Sequence, residues 1–326
     1  MKDNSTPLTL VIGIVVPAYN AEKYLPKLLD SIVRATTRPF ECVVVNDGSS
    51  DDTVNVFAEL VGDDSRFSIL NIQNSGVATA RNVGYGLLSE KVTHVTFMDA
   101  DDSYIAGGLD VLLDKLLTRA DVGVIHGVGT FDDDDSGIDT TGAYEQVCSS
   151  RISHIYGVPY NLGIESDTTV SSILLKSTMF PPGLVLIKRS VITKVGLFDT
   201  SSTINHADDW HYMIRLAMVG PIAFVPVPVL FYGRHEFNAG GSAFIPTACS
   251  NVWRKIYWNP NNTAKDQTKL FYAWKAKQLY DIQQRFSVFK RKKNVKSLLN
   301  MMIGVFTCSY RWMRGSPTKK LKEKNQ

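Results

Sequence analysis

The chain has 326 residues, of which 44% are hydrophobic and 21% are charged. This composition is typical of a globular protein with one large domain or two smaller ones. The four cysteines lie far apart and form no CxxC pair, which argues against a zinc site or a disulfide framework and favours a reducing compartment.

The net charge of +3 is unevenly distributed along the chain. Residues 290–326 contain eleven Lys or Arg and one acidic residue, whereas residues 1–289 carry a net charge of about −7. A cationic tail favours an anionic partner surface, either a membrane or a nucleic acid.

The first 20 residues contain a lysine followed by an apolar stretch, as a signal peptide would. Asp3 follows the lysine and no clear small-residue cleavage site is present, so we expect the apolar stretch to form a buried strand. No stretch reaches the roughly 18 apolar residues that a membrane-spanning helix needs. These features predict a cytoplasmic protein.

Apolar runs and amphipathic segments alternate over the first 130 residues. On the first amphipathic segment Leu25, Leu28, Leu29, Ile32 and Val33 share one helical face. Continuous Val/Ile runs between such helices predict an α/β fold, with a mostly parallel sheet flanked by helices on both faces. Strands are predicted at 10–18, 41–47, 67–72, 94–100 and 122–128, and helices at 21–35, 49–60, 76–88 and 108–120.

Polar residues follow the first four predicted strands, in the segments "PAYN", "NDGSSDD", "NIQNSG" and "MDADD". In open parallel sheets, ligands bind beyond the carboxyl ends of the strands. Neither GxxxxGK[ST] nor GxGxxG is present. The acidic strand ends therefore favour a site in which carboxylates and a metal ion hold phosphates.

The second half of the chain is less regular. The acidic segment "FDDDDSG" begins a region up to about residue 179 that we expect to be turn-rich and solvated. A helix is predicted at 206–220 and a strand at 222–236, and the chain is helical and increasingly basic after about residue 245. The predicted organisation is a tail at 1–9, a catalytic domain at 10–240 with halves at 10–130 and 131–240, and a helical, basic C-terminal extension at 241–326.

An ordered set of segments resembles the family-2 glycosyltransferases, inverting enzymes of the GT-A fold. The segments are "VVPAYNAEKYLPKLLDSI", "ECVVVNDGSSDDT", "NSGVATARNVG", "FMDADD", "GLFD", "ADDWHYMIRLAMVG" and "YGRHE", and they span roughly 70% of the chain. The resemblance implies transfer of a sugar from a nucleotide-diphosphate donor to an acceptor hydroxyl, with a divalent metal, Mg²⁺ or Mn²⁺, on the diphosphate.

Asp99-Ala100-Asp101 corresponds to the DxD motif of that family. A divalent cation stabilises the negative charge that develops on a diphosphate leaving group. The resemblance implies that Asp101 ligates the metal, that Asp99 contacts the donor ribose or a metal-bound water, and that Asp102 touches the sugar. The alternative is a solvated turn in which Asp102 or Ser103 caps a helix.

The resemblance places the nucleotide near the ends of the first two strands. The resemblance implies that Asp47 accepts a hydrogen bond from a pyrimidine base, which favours a UDP or dTDP donor. The alternative is that Asp47 forms an Asx turn or a helix cap. Pro17, Ala18 and Tyr19 form a first loop that lines the base pocket. Glu22, on the first helical turn, approaches the nucleotide or acts as a plain cap.

Arg81 and the "HADDW" segment complete the expected catalytic centre. The resemblance places Arg81 against the base or the diphosphate, and the alternative is a surface arginine. Inverting transfer needs a carboxylate to take the proton of the acceptor hydroxyl, and the resemblance gives that role to Asp209. Asp208 stands where the family more usually has glutamate, which leaves its acceptor-orienting role open. An N-cap of the following helix is the other interpretation of this pair.

In "YGRHE" the resemblance implies that His235 is a metal ligand or a hydrogen-bond donor to the diphosphate. It also implies that the neighbouring basic residue, Arg234, binds the donor. A lone histidine is more often structural, and we expect a structural role for the other five histidines of the chain. His94 begins a strand, and the remaining histidines are His126, His154, His206 and His211.

The leading hypothesis is an inverting glycosyltransferase that builds surface polysaccharide or lipopolysaccharide on a glycan or lipid-linked acceptor. The alternatives are a sugar-phosphate nucleotidyltransferase and a catalytically inactive nucleotide-sugar-binding relative. Aromatic and basic residues in the tail favour peripheral attachment to the cytoplasmic face of the inner membrane, with no nucleic acid as partner. The other interpretation of the tail is a set of helices packed on the catalytic domain with a solvated basic end.

Overall fold

The computed structural model describes residues 10–131, 181–205, 207–233 and 245–272, together with positions 286, 290 and 302. These residues belong to two compact units. Described residues up to Ile256 form the first unit, and those from Tyr257 onwards belong to the second, in which residues 264–272 are helical.

The first unit is built around an eight-stranded sheet in the order β3-β2-β1-β4-β7-β6-β8-β5. Among the described residues, four of the seven strand pairings are parallel and three are antiparallel. The strands are β1 (Ile12–Ala18), β2 (Phe40–Asp47), β3 (Phe67–Ile72), β4 (His94–Phe97), β5 (Ser103–Tyr104), β6 (Val124–Phe131), β7 (Val185–Lys188) and β8 (Ala223–Tyr232).

Helices connect and cover the strands, and α1 shows why the sequence forms them. Leu25, Leu28, Leu29 and Ile32 lie on its buried face, and Pro26 stands at its start, where no backbone N–H is needed. Val33, predicted to share that face, is 42% exposed. The helices are α1 (Leu25–Ala35), α2 (Thr53–Val61), α3 (Val77–Leu87), α4 (Gly108–Leu117), α5 (Arg189–Val195), α6 (Asp208–Val219) and α7 (Ile245–Tyr257).

Strand β1 is buried along its whole length, as expected for a central strand covered on both faces. Its close packing with α3 depends on a helical glycine. A Cβ on Gly84 would lie 2.4 Å from Val15 Cγ1, so the helix approaches the sheet only because that residue has no side chain.

The predicted α/β architecture is confirmed, and the differences are local. Pro17 and Ala18, predicted both as the end of the first strand and as part of the loop after it, are the last residues of β1 and pair with Val45 and Asn46. Pro17 is tolerated there because pairing with β4 ends at Val15, so no ladder bond is required of its nitrogen. Strand β4 ends at Phe97, before the predicted limit at residue 100, and β5 was not predicted.

Strand β8 keeps two prolines in a sheet because the ladder is irregular beside them. Its register with β6 shifts between His126 and Val128, which pairs with Pro228, and again before Gly129. Prolines in sheets are confined to such irregular or edge positions. The strand-like prediction for this segment is therefore confirmed.

The side chains of His94, His126, His211 and Cys42 lie in the interior of the first unit. His94 opens β4, and burial lowers the pKa of both His94 and His211 to about 4, so both are neutral near pH 7. His126 is fully buried, and Cys42 is a free, buried cysteine. His154, His206 and the acidic segment at 132–135 lie outside the described residues.

Candidate active site

The candidate site lies at one edge of the sheet. Strands β1, β2, β3 and β4 run parallel and bring their carboxyl ends to this edge. Strand β7 is antiparallel to β4 and β6, and β8 is parallel to β6, so β6 and β8 end at the same edge. This shared direction gathers side chains that are far apart in the sequence.

The three aspartates after β4 form a tight turn. The Asp102 backbone N–H donates to the Asp99 carbonyl oxygen at 3.2 Å. Asp99 and Asp101 are partly exposed, whereas Asp102 is only 2% exposed. The solvated-turn alternative therefore fails for Asp102, and the following helix begins only at Gly108, which excludes a helix cap by Asp102 or Ser103.

Asp102 connects this turn to the end of β8. Its Oδ1 accepts a hydrogen bond from the Gly233 backbone N–H at 2.9 Å, and its buried Oδ2 has no hydrogen-bond partner among the described residues. Burial, together with the neighbouring charges of Asp101 and Asp99, holds the pKa of Asp102 well above its usual range. A Cβ on Gly233 would lie 1.9 Å from the Asp101 carbonyl oxygen, so the close approach requires glycine.

Arg81 of α3 joins the turn to the start of α6. Its Nη2 donates to Asp99 Oδ1 at 2.6 Å and its Nη1 donates to Asp208 Oδ2 at 2.8 Å. Burial by itself lowers the pKa of Arg81, but the carboxylates of Asp99 and Asp208 outweigh burial, so that pKa is raised and the guanidinium stays charged. Arg81 is 4% exposed, which makes the surface-arginine alternative wrong.

Asp208 and Asp209 are the first two residues of α6. Ala207 occupies the N-cap position, so the interpretation of this pair as an N-cap is wrong by one position. Burial and the adjacent charge of Asp208 raise the pKa of Asp209 to about 7, against opposing contributions from Arg81 and the Trp210 backbone N–H. Asp209 retains partial solvent exposure. A carboxylate with these properties can exchange a proton near neutral pH.

Phe198 and Asn82 support this network, and the sequence analysis gave them no role. The Arg81 guanidinium lies over the Phe198 ring at 5.2 Å, and that ring stacks on Tyr212 at 4.0 Å. Asn82 Nδ2 donates to the Phe198 carbonyl oxygen, and its Oδ1 accepts from the Phe198 N–H, both at 2.9 Å. The sequence does mark the two segments that contain these residues, "ATARNVG" and "GLFD", as part of the resemblance. It does not show that the segments contact each other.

Asp47 holds the loop between β3 and α3. Its two carboxylate oxygens accept hydrogen bonds from the backbone N–H groups of Ser75 at 2.7 Å and Gly76 at 2.9 Å. The side chain is buried. Each oxygen keeps a second lone pair, so this contact leaves base recognition by Asp47 a prediction.

Tyr19 and Glu22 occupy the loop after β1. Tyr19 is 56% exposed. Glu22 lies in the turn before α1, not on its first turn, and its carboxylate accepts from the Asp52 N–H at 2.8 Å. Its own N–H donates to Asp51 Oδ2 at 3.1 Å. Glu22 thus ties the two loops together. It does not cap α1, whose N-cap is Tyr24 and which has no side-chain cap hydrogen bond, so the capping alternative is wrong, and a nucleotide contact by Glu22 stays a prediction.

The turn after β4 offers carboxylate oxygens, which are the ligands that a hard divalent cation prefers. Within the described residues, no three His, Cys, Asp or Glu side chains form a metal cage. Mg²⁺, however, is usually held by one or two protein carboxylates together with phosphate oxygens. Asp101 and Asp99 offer partly exposed carboxylates, which fits such a site. Arg234 and His235 lie outside the described residues, so the predictions made for them stay predictions.

Relatives of the chain are bacterial glycosyltransferases. GlyA of Streptococcus pneumoniae serotype 4 (strain ATCC BAA-334 / TIGR4) is 39% identical over 114 residues, which cover 35% of this chain and 16% of GlyA. An uncharacterised glycosyltransferase of Haemophilus influenzae is 24% identical over 230 residues, which cover 69% of this chain and 66% of that protein. The chain thus spans less than two thirds of the length of these relatives.

Two solved structures share the fold. TarS 1-349 of S. aureus, in complex with UDP-GlcNAc, has a TM-score of 0.61 and 18% identity, covering 92% of this chain and 80% of that one. The mannosyltransferase PcManGT of Pyrobaculum calidifontis, in complex with GDP-Man and Mn²⁺, has a TM-score of 0.56 and 17% identity, covering 93% and 81%. The predicted GT-A fold is confirmed.

Residues 13–196 match Glycosyl transferase family 2, which is more than half of the chain. The match includes β1 to β4, Arg81 and the three aspartates after β4, and it ends before α6. The predicted class of protein, a glycosyltransferase, is confirmed at the level of the family. The chain belongs to glycosyl transferase family 2.

Proposed function

We propose that the chain is an inverting glycosyltransferase with a nucleotide-diphosphate sugar as donor. The acceptor is a hydroxyl of a glycan or of a lipid-linked saccharide, and the product belongs to surface polysaccharide or lipopolysaccharide assembly. Membership of family 2 supports the reaction class. Relatives named as a hyaluronan synthase and a teichoic acid polymerase support the product class.

Asp209 is the proposed base, and its environment is the observation that carries the proposal. In a single in-line displacement, the acceptor oxygen bonds to the anomeric carbon as the bond to the diphosphate breaks. The acceptor proton passes to Asp209. A base works best when its pKa lies near the working pH, and burial beside Asp208 gives Asp209 a pKa of about 7. Partial exposure leaves the carboxylate accessible to an acceptor.

The donor is proposed to lie along the ends of β1, β2 and β4. Asp47 and the loop of Pro17, Ala18 and Tyr19 would hold the base. A pyrimidine suits the carboxylate of Asp47, which makes a UDP-sugar the first donor to test. The UDP-GlcNAc bound by TarS is consistent with this choice.

Asp101 would hold a divalent cation, Mg²⁺ or Mn²⁺, on the diphosphate, with His235 as a further ligand, and Asp99 would contact the donor ribose or a metal-bound water. Such a cation stabilises the charge of the leaving diphosphate. The Mn²⁺ in PcManGT supports a divalent metal in this fold. Glu22, Asp102 and Arg234 complete the proposed donor-side residues, and Asp208 has the proposed acceptor-orienting role.

The basic segment 290–326 is proposed to bind an anionic membrane surface, which would place the protein peripherally on the cytoplasmic face of the inner membrane. Its eleven Lys or Arg residues support this role. Among the described residues, no helix is long and apolar enough to cross a membrane.

Asp209→Asn tests the proposal. The amide cannot accept the acceptor proton, so we expect transfer to fall about 10²- to 10⁴-fold. UDP binding, measured by calorimetry with Mn²⁺, should stay within about threefold because the donor-side residues are intact. The exposed Asp63→Asn is the matched control and should leave transfer unchanged. UDP binding should be lost when EDTA replaces Mn²⁺.

Undiminished transfer by Asp209→Asn would show that another group is the base. Donor binding without transfer in the wild-type protein, across a panel of sugars and acceptors, would favour the inactive relative. Release of pyrophosphate from a nucleoside triphosphate and a sugar phosphate would favour the nucleotidyltransferase. Equal UDP binding in EDTA and Mn²⁺ would contradict the metal site.

A further inference from the structure

We infer that Arg81 is a positioning residue, which fixes the donor-side carboxylate Asp99 and the acceptor-side carboxylate Asp208 relative to each other and thereby holds Asp209 in place for the reaction. This inference deepens the proposed function and rests on it. The resemblance implied instead that Arg81 contacts the donor base or diphosphate.

The contacts of Arg81 carry the inference. Its two terminal nitrogens donate to two different carboxylates, at 2.6 Å to Asp99 and at 2.8 Å to Asp208. These partners lie 18 and 127 residues away in the sequence, in the turn after β4 and at the start of α6. The planar guanidinium has donors pointing in several fixed directions, so one side chain can define the separation of both carboxylates.

The position of the guanidinium is itself constrained. Its face lies over Phe198, whose ring stacks on Tyr212 of α6. Asn82, the next residue along α3, binds both backbone polar groups of Phe198. Helix α3 therefore carries Arg81 and, through Asn82, also fixes the backbone of Phe198. At 4% exposure, Arg81 offers little surface to a ligand, which favours an indirect role over donor contact.

Asp209 depends on this arrangement through its neighbour. Asp208 and Asp209 are consecutive residues of the first turn of α6, so anchoring the Asp208 carboxylate restrains the backbone that carries Asp209. Asp99 belongs to the turn proposed to meet the donor. Arg81 thus links the donor end of the site to the proposed base. Lysine at this position keeps the charge but cannot hold two carboxylates in one fixed geometry.

A double-mutant cycle tests the inference with Arg81→Lys, Asp208→Asn and the double variant. Each single change should lower kcat about 10- to 100-fold, the cost of misplacing a catalytic group by about 1 Å. The donor KM should change less than about threefold. The double variant should be no slower than the slower single variant, because both changes break the same link.

Arg215→Lys is the matched control. The Arg215 guanidinium lies over Tyr212 at 5.7 Å and donates to the carbonyl oxygens of Leu197 and Val195, rather than to a carboxylate. This change and Arg81→Lys should both lower the unfolding temperature, but Arg215→Lys should leave kcat within about twofold. If Arg81→Lys does not fold, Asp208→Asn must still lower kcat at constant donor KM.

Four results would overturn the inference. They are multiplicative effects in the double variant, a raised donor KM with normal kcat in Arg81→Lys, an equal loss of kcat in Arg215→Lys, and an unchanged kcat in Asp208→Asn. The Asp209→Asn variant shows whether the positioning role or the proposed function is wrong. If Asp209→Asn loses transfer while the effects of Arg81→Lys and Asp208→Asn multiply, only the positioning role is wrong. If it keeps transfer, the proposed function itself fails.

Discussion

At the scale of single residues, the described part of the site has more negative than positive charge. The buried guanidinium of Arg81 faces Asp99, Asp208 and Asp209, and all three carboxylates influence its pKa. Two of them accept hydrogen bonds from Arg81. Asp209 accepts none from it and is destabilised as an anion by burial and by Asp208. The excess negative charge therefore raises the pKa of Asp209. A raised pKa is what the proposed proton-accepting role of Asp209 requires.

The pH dependence of transfer should reflect this imbalance. Asp209 must be ionised to act as base, so kcat/KM should fall about tenfold per pH unit below pH 7. Asp208→Asn removes a repelling charge, so its profile should bend at a lower pH than that of the wild type. The measurement is a pH–rate profile of both proteins. Identical profiles would show that the charge of Asp208 does not raise the pKa of Asp209.

Stability should change in the opposite direction. The folded protein binds the Asp209 proton more tightly than the unfolded chain, because the pKa is raised from 3.8 to about 7. The resulting stabilisation is complete below about pH 4 and is lost as the pH rises through 7. It amounts to at most about 4 kcal/mol. Urea titrations of wild type and Asp209→Asn should therefore show the variant gaining relative stability between pH 5 and pH 8.

The sequence could point to candidate site residues but not to the links between them. Asp99 and Asp101 follow from their place after a strand, and Asp209 follows from the resemblance to family 2. The ion pairs of Arg81 do not, because Asp208 lies 127 residues away and no local pattern marks a buried arginine. The same holds for Asn82 and Phe198, which are 116 residues apart.

At the scale of elements, the prediction succeeded where a pattern is local and long. Strand β3 has the predicted limits, and α3 differs by one residue at each end. Strand β5 has two residues and exists through pairing with Leu230 and Phe231 of β8, so no periodicity in its own sequence could reveal it. The early end of β4 has a related cause, since the chain leaves the sheet to form the aspartate turn.

Helix α3 contains two glycines that should respond in opposite ways to alanine. A Cβ on Gly84 would meet Val15 Cγ1 at 2.4 Å, so Gly84→Ala should destabilise the protein by about 1–3 kcal/mol through overpacking. A Cβ on Gly86 meets nothing within 4 Å, so Gly86→Ala should stabilise by about 0.5–1 kcal/mol through helix propensity. Urea unfolding measures both.

Gly86→Ala also serves as the control for Gly84→Ala, because the two changes add the same atom to the same helix. Equal effects of one sign would show that α3 does not pack against β1 as closely as the distances indicate. A loss of transfer in Gly84→Ala alone would follow from displacement of Arg81, which lies one turn earlier on α3.

At the scale of the whole molecule, the alternation of apolar runs and helices was enough to predict the fold class, because a parallel sheet needs strands buried on both faces. The order of strands was not predictable. Strands β4, β7, β6 and β8 are neighbours in that order, which depends on long-range pairing. Charge is the other whole-chain property, and its concentration at 290–326 leads to the last prediction.

Binding to anionic vesicles should depend on that segment. Basic residues near an anionic leaflet contribute about 1 kcal/mol each, so changing Lys290, Arg291, Lys292 and Lys293 to Gln should weaken binding at least about tenfold. Binding should also fall as salt rises from about 50 to about 500 mM, because the screening length shortens from about 14 Å to about 4 Å. The measurement is co-sedimentation with vesicles of phosphatidylserine and phosphatidylcholine.

The matched control removes the same charge from exposed lysines elsewhere, by changing Lys91, Lys115, Lys194 and Lys265 to Gln. If net charge alone drove binding, both quadruple variants would weaken it equally. If the segment acts as a local basic surface, only the tail variant should lose vesicle binding. Transfer to a short soluble acceptor should remain normal in both, because neither set includes a proposed catalytic residue. Equal binding of the wild type to neutral vesicles would reject the electrostatic attachment.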